Sequence, residues 1–133
     1  MPHLIIEYSA NATPDVDIQG LVDTLHETAA SIEAFPLAGL RTRAQQRDAY
    51  RIADGHADNA FVHVLLKIGH GRPLDVRQQA GEKIFSALEN YLEPVLKQRP
   101  LAVSFEIQEL DPVLNYKGGN IREYLAKRTG QSQ

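Results

Sequence analysis

Three residues have the types and positions for proton transfer on an anion: Pro2, Arg41 and Arg72. Proline follows the first methionine in "MPHLIIEYS". Proline at the first residue of a strand is harmless and by itself ordinary. If Met1 is removed, as a small second residue permits, Pro2 becomes a free secondary amine at the head of a strand. An α-amino group titrates near about 7.7–8.0, and burial or nearby cations lower that value by disfavouring the ammonium form. One or two units of depression, about 1.36 kcal/mol each, make the neutral base the major species at pH 7. Arg41 in "FPLAGLRTR" opens the next extended segment, and Arg72 in "KIGHGRP" lies in a later loop. A guanidinium holds a carboxylate through two parallel charge-assisted hydrogen bonds, so two of them beside an amine base point to an anionic, polycarboxylate substrate. Arg43, Arg47 and Arg51 share the strand parity of Arg41 and read as solvated surface residues.

Other chemistries find little support. The histidines His3, His26, His56, His63 and His70 form neither an HxH pair nor an HExxH motif, so no metal site is expected. There is no GxSxG elbow, and "IGHGRP" lacks the spacing of a phosphate-binding GxxxxGK[ST] loop. The absence of cysteine excludes disulfides and thiolate nucleophiles and fits a reducing cytoplasm. A net charge of −3 offers no general attraction to nucleic acid. No apolar run reaches the roughly 18–20 residues needed to span a bilayer, and the N-terminal stretch lacks the pattern of a secretory signal. A chain of 133 residues, 43% apolar and 23% charged, is expected to form a single domain over 1–133.

The elements that must position these residues follow from periodicity. "HLIIEYS" (3–9) reads as a strand ending in "SANATP". A helix is expected from near Pro14, with Thr13 as its N-cap and Ile18, Leu21, Val22, Leu25, Ala29 and Ile32 on one apolar face. "AFPLAGL" breaks it, and the chain from Leu40 through "RTRAQQRDAYRIA" reads as extended, with a turn at "DGHAD". "AFVHVLLKI" (60–68) is nearly continuously apolar, the pattern of a strand buried on both faces. A longer helix over about 74–97 places Ala80, Ile84, Leu88, Tyr91, Val95 and Leu96 inward, with a kink or early stop expected at Pro94. "LAVSFEIQEL" (101–110) alternates as a half-buried strand does, and a short helix begins near Asn120.

"LIIEYSANATP" (4–14) and "HVLLKIGHGRP" (63–73) match in pattern at an offset of 59, and the helical apolar positions continue that register. The pseudo-repeat, about 2–58 and 59–125, predicts an α+β fold: two consecutive βαβ units forming a four-stranded mixed sheet with both helices on one face. The chain has nothing left to cover the opposite face, so oligomerisation through it is expected.

The segments "PHLIIEYS", "FPLAGLRTR", "DNAFVHVLLKIGHGRPLDVRQQAGE" and "LAVSFEIQELDPVLNYKGGNI" together resemble the 5-carboxymethyl-2-hydroxymuconate Δ-isomerase family of the tautomerase superfamily, from Pro2 to about Leu125. The phrase "GRPLDVRQQAGE" is specific, whereas "KRTGQSQ" falls outside the resemblance. The resemblance implies a homotrimer with active sites at subunit interfaces. It also implies an amino-terminal proline base matching Pro2, substrate arginines matching Arg41 and Arg72, no metal or organic cofactor, and a place in aromatic-compound (homoprotocatechuate) degradation. The implied reaction is a keto-enol tautomerisation of the 2-hydroxy-2,4-diene to the 2-oxo-3-ene isomer. Two other readings fit the same scaffold. One is a tautomerase acting on another enol or unsaturated acid, such as phenylpyruvate or 2-hydroxymuconate. The other is a non-catalytic trimeric binding module, like relatives of macrophage migration inhibitory factor.

Overall fold

The computed structural model describes residues 1–130. Its elements run β1 (His3–Ser9), α1 (Ile18–Ala30), β2 (Arg41–Arg47), β3 (Ala60–Ile68), α2 (Leu74–Leu96), β4 (Leu101–Glu109) and α3 (Ile121–Thr129), with short 3-10 turns at Ala10–Ala12 and Leu37–Gly39. The strands form one mixed sheet in the order β2-β1-β3-β4. β1 pairs parallel with β2 and antiparallel with β3, and β3 pairs parallel with β4. The expected fold class is therefore present: two βαβ units, each a parallel strand pair joined through a helix.

Strand alternation decides where the core sits. Leu4 and Ile6 of β1 face the same way as Val62, Val64 and Leu66 of β3, and all five are fully buried. Leu21, Leu25 and Ala29 of α1 and Ile84, Leu88 and Leu92 of α2 complete that core, so both helices lie on one side of the sheet. Burying a side chain of this size contributes about 1.5–3 kcal/mol before the entropy of ordering it. The other face of the sheet is half-buried or exposed and carries His3, Ile5, Phe61, His63 and Leu65 together with Ala102 and Ser104. β3 is thus buried on one face only, where its apolar run suggested two; no element among the described residues covers the far side.

Three local expectations are corrected. α1 starts at Ile18 and is capped by Asp17, whose carboxylate accepts from Gly20 N–H at 3.2 Å, because residues 10–12 wind a 3-10 turn that buries Ala12 before the helix begins. Thr13 does not cap the helix; its hydroxyl donates to the Ala10 carbonyl at 3.0 Å. β2 ends at Arg47, opposite Ser9, because β1 runs out there and leaves the continuing segment without a partner. In α2, Leu92 rather than Leu96 is the inward residue, since Leu88, Leu92 and Val95 keep the helical stripe and Leu96 falls beside it, 42% exposed. The helix runs past Pro94 to Leu96. Among the described residues no helix is long and apolar enough to cross a membrane.

Candidate active site

Topology gathers the chemistry at one end of the sheet. β1 and β2 begin there, side by side, with His3 opposite Arg41. β3 and β4 end there, because β3 runs antiparallel to β1 and places Lys67 opposite His3. Pro2 and Arg41 therefore stand at strand starts, Arg72 follows the end of β3, and the loop after β4 returns over the same edge with Lys117.

Pro2 is fully buried, and its carbonyl accepts from Arg41 N–H at 3.1 Å, which ties the chain start to β2. Met1 lines a cavity of about 250 Å³ together with Pro36, Gly39, Arg41, Lys117 and the first residues of α3. Glycine at 39 permits this close approach, since a Cβ there would lie 3.3 Å from Met1 Cγ. The terminal amine is held below its ordinary value first by burial, then by the positive charges of Lys117, Arg72 and Arg41. Removal of Met1 would move the free amine one residue along, to the Pro2 nitrogen at the same strand head.

The two arginines are held differently. Arg72 is half-buried; its Nη2 donates to the Ala34 carbonyl at 2.7 Å, its Nη1 to the Gly69 carbonyl at 3.3 Å, and the guanidinium lies 5.6 Å from the Phe35 ring centroid. The turn presenting it needs glycine at 71, where φ is +112°. Glu109, at the end of β4, accepts from Gly71 N–H at 3.0 Å and lies 3.6 Å from Arg77, whose Nε donates to the Arg72 carbonyl at 3.0 Å. That hydrogen bond, then Arg77 and His70, hold the Glu109 carboxyl below the usual carboxylate range. Arg41 is exposed: its Nη1 lies 3.3 Å from His3 Nε2, and its Nη2 donates weakly to Met1 Sδ at 3.8 Å.

Arg43 reaches the other nitrogen of the same ring, with Nη1 3.1 Å from His3 Nδ1. A neutral imidazole has one bare nitrogen, so the ring accepts from one guanidinium at a time. Burial, then Arg43 and Arg41, push His3 below its ordinary value and keep it neutral near pH 7. Arg47 forms an ion pair with Glu7, away from this cluster, and Arg51 packs against Gly55. Of the remaining histidines, His26 bonds Thr42 at 2.8 Å and His63 bonds Ser104 at 2.6 Å. His56 and His70 are exposed beside Asp58 and Glu109. Among the described residues no group of three His, Asp or Glu side chains is placed to hold a metal ion.

The structure thus brings Pro2, Arg41 and Arg72 to one sheet end. Sequence reasoning missed His3, Glu109 and Lys117, which the fold adds there. The signals were faint: a histidine next to the proline, an acidic residue closing an alternating strand, and a cation ahead of two glycines in "NYKGGNI".

Known proteins share this arrangement of the chain. Residues 2–125 match the family model described as 5-carboxymethyl-2-hydroxymuconate isomerase. A 5-carboxymethyl-2-hydroxymuconate Delta-isomerase from Escherichia coli is 46% identical over 121 residues, covering 91% of this chain and 96% of the relative. A solved 5-carboxymethyl-2-hydroxymuconate delta-isomerase superposes with a TM-score of 0.88 at 31% identity, over 94% of this chain and 93% of the other. A 5-carboxymethyl-2-hydroxymuconate isomerase from Deinococcus radiodurans R1 gives 0.86 at 34% identity, over 93% of both chains. A buried chain start ringed by cations, on a fold and sequence matched almost end to end, places the chain in the 5-carboxymethyl-2-hydroxymuconate isomerase family.

Proposed function

We propose that this isomerase converts 5-carboxymethyl-2-hydroxymuconate to its 2-oxo-3-ene isomer, with the free amine of Pro2 as general base and Arg41 and Arg72 holding the substrate. The observation that carries the reading is the placement of Pro2, Arg41, Arg72 and Lys117 at one sheet end, where burial first and then the cations lower the basicity of the terminal amine. A base of lowered basicity in a positive site suits an acidic hydroxyl on a polyanion. The E. coli relative bears the name of this activity.

Pro2 takes the 2-hydroxyl proton; the electron pair moves through the diene, and the same nitrogen delivers a proton to C5. The O–H bond breaks as C=O forms at C2, the 2,3 π pair becomes the 3,4 double bond, and the 4,5 π pair takes up the proton as the new C–H bond at C5. Negative charge collects on the 2-oxygen during the transfer. Arg72 binds the adjacent C1 carboxylate and stabilises that charge, because carbonyl hydrogen bonds and the Phe35 ring hold it in place before substrate arrives and three of its five N–H donors are without a partner among the described residues. Arg41, exposed and held through His3, grips a distal carboxylate.

The sheet face opposite the helices completes the proposal. Ile5, Phe61, Leu65 and Ala102 lie there uncovered, and we assign that face to a homotrimer with the sites where subunits meet. Light scattering at the trimer mass is expected, and a monomer removes the shared site. The decisive assay follows ketonisation of 5-carboxymethyl-2-hydroxymuconate by ultraviolet absorbance, using protein whose intact mass shows that Met1 is absent. Turnover far above the spontaneous rate is expected; the spontaneous rate alone overturns the substrate assignment.

A further inference from the structure

We infer that Lys117 is a specificity-determining residue that binds the carboxymethyl carboxylate of the substrate. The inference rests on the reading above and deepens it by one group. The proposed substrate carries three carboxylates, two at the ends of a muconate and one on a methylene branch, whereas the arginines discussed so far number two. The third cation at the chain terminus is Lys117.

Its position supports the role. Lys117 lines the same cavity as Met1 and Arg41. Among the described residues it has no carboxylate within ion-pairing distance, although acidic residues are plentiful elsewhere on the chain. Its loop is anchored at the start by Asp111, which accepts from Val113 N–H at 2.9 Å and Leu114 N–H at 2.5 Å, and at the far end by α3. The side chain of Asn120, ahead of α3, makes no capping hydrogen bond, and Asn120, Ile121 and Arg122 at the start of that helix line the same cavity. Positive partial charge from that helix end adds to the ammonium in favouring an anion.

The chemistry of the three cations matches the three carboxylates. A planar guanidinium fork suits a carboxylate fixed in the plane of a conjugated diene, as the two muconate ends are. A carboxylate on a methylene rotates out of that plane and presents no fixed orientation. A compact ammonium on a flexible stem meets such a group without demanding one.

The test compares two substrates that differ only in the branch. Wild-type protein lacking Met1, Lys117→Gln and Lys117→Arg are assayed with 5-carboxymethyl-2-hydroxymuconate and with 2-hydroxymuconate, which has no carboxymethyl group. The ratio of the two kcat/KM values cancels any change in the basicity of Pro2. Lys117→Gln is expected to lower that ratio about 10- to 100-fold, the range for losing a charge-assisted hydrogen bond, chiefly through KM. Lys117→Arg restores most of it. An unchanged ratio in Lys117→Gln overturns the inference, as does a collapse of the ratio in Arg122→Gln while Lys117→Gln keeps it. Wild-type protein inactive on both substrates overturns the proposed function and this inference with it; activity with an unaltered ratio overturns this inference alone.

Discussion

Where β3 and β4 begin, Arg99 donates to Asp15 at 2.8 Å and to the carbonyls of Asn11 at 2.9 Å and Asp58 at 2.7 Å, while Arg47 nearby pairs with Glu7. Where those strands end, Arg41 rests on an imidazole and a thioether, Arg72 on two carbonyls and a phenyl ring, and neither meets a carboxylate among the described residues. Two acids at this second end are already engaged, Glu109 by Gly71 N–H and Arg77 and Asp111 by Val113 and Leu114 N–H. An arginine neutralised by its own chain ties loops together. One whose partners are neutral keeps its charge for a ligand and depresses any amine beside it. On the proposed function, the distinction separates cations that hold the fold from cations left for a substrate.

The sharpest break comes at Pro2. Retaining Met1 turns the Pro2 nitrogen into a tertiary amide with no basicity, and ketonisation is expected to fall by about 10²–10⁴-fold, the usual contribution of a general base; intact mass and the ultraviolet assay check it together. Next, Arg72→Ala is expected to lower kcat by about 10²–10³-fold, as loss of a preorganised charge stabiliser does. Arg41→Ala is expected to raise KM with a smaller loss in kcat. Equal effects of both on both parameters defeat that division. At the opposite end, Arg99→Ala is expected to cost about 1.5–3 kcal/mol of stability, measured by denaturant unfolding, with kcat unchanged. A loss of activity without a loss of stability there erases the contrast between the ends.

The smallest effects concern pH and Glu109. The terminal amine is lowered, so the acid limb of kcat/KM is expected below the ordinary α-amino value of about 8, activity falling as pH drops through the amine and the base becomes protonated. Arg72→Ala moves that limb upward, toward the ordinary value. Glu109 is also depressed, so its hold on the Gly71 turn is fully present above the usual carboxylate value of about 4.3 and is lost as pH falls through the depressed one. Glu109→Gln is expected to lower kcat by only a few-fold, because Arg77 still donates to the Arg72 carbonyl.

How much of this was legible in the sequence depends on distance along the chain. Strand alternation and helical stripes are local, and β1, β3, β4 and the inward faces of Leu21, Leu25, Ile84 and Leu88 follow from them. Pro2, Arg41 and Arg72 were legible as candidates because residue type and a neighbouring turn point to each and the family resemblance joined them, and the fold places all three at one sheet end. Glu109 was not, because its meaning comes from Gly71, 38 residues away, across a pairing that no local pattern encodes. Lys117 sits in a stretch that is exposed and without regular structure until α3, where periodicity has nothing to say. The misplaced start of α1 has a similar origin: Thr13 and Pro14 are good cap residues, and the burial of Ala12 and Val16 against the core outweighs them.

The strand order has a kinetic consequence. His3 and Arg41, partners in β1 and β2, are 38 residues apart, and His63 and Ser104, partners in β3 and β4, are 41 apart. Each ladder must close a long loop before its hydrogen bonds repay the lost entropy, so the chain is expected to fold slowly for its size, on the millisecond-to-second scale of non-local topologies. The cations assemble around the chain terminus only as β1 inserts between β2 and β3. Depression of the terminal amine therefore requires β1 to be paired, and proton release on refolding is expected to accompany that pairing rather than helix formation.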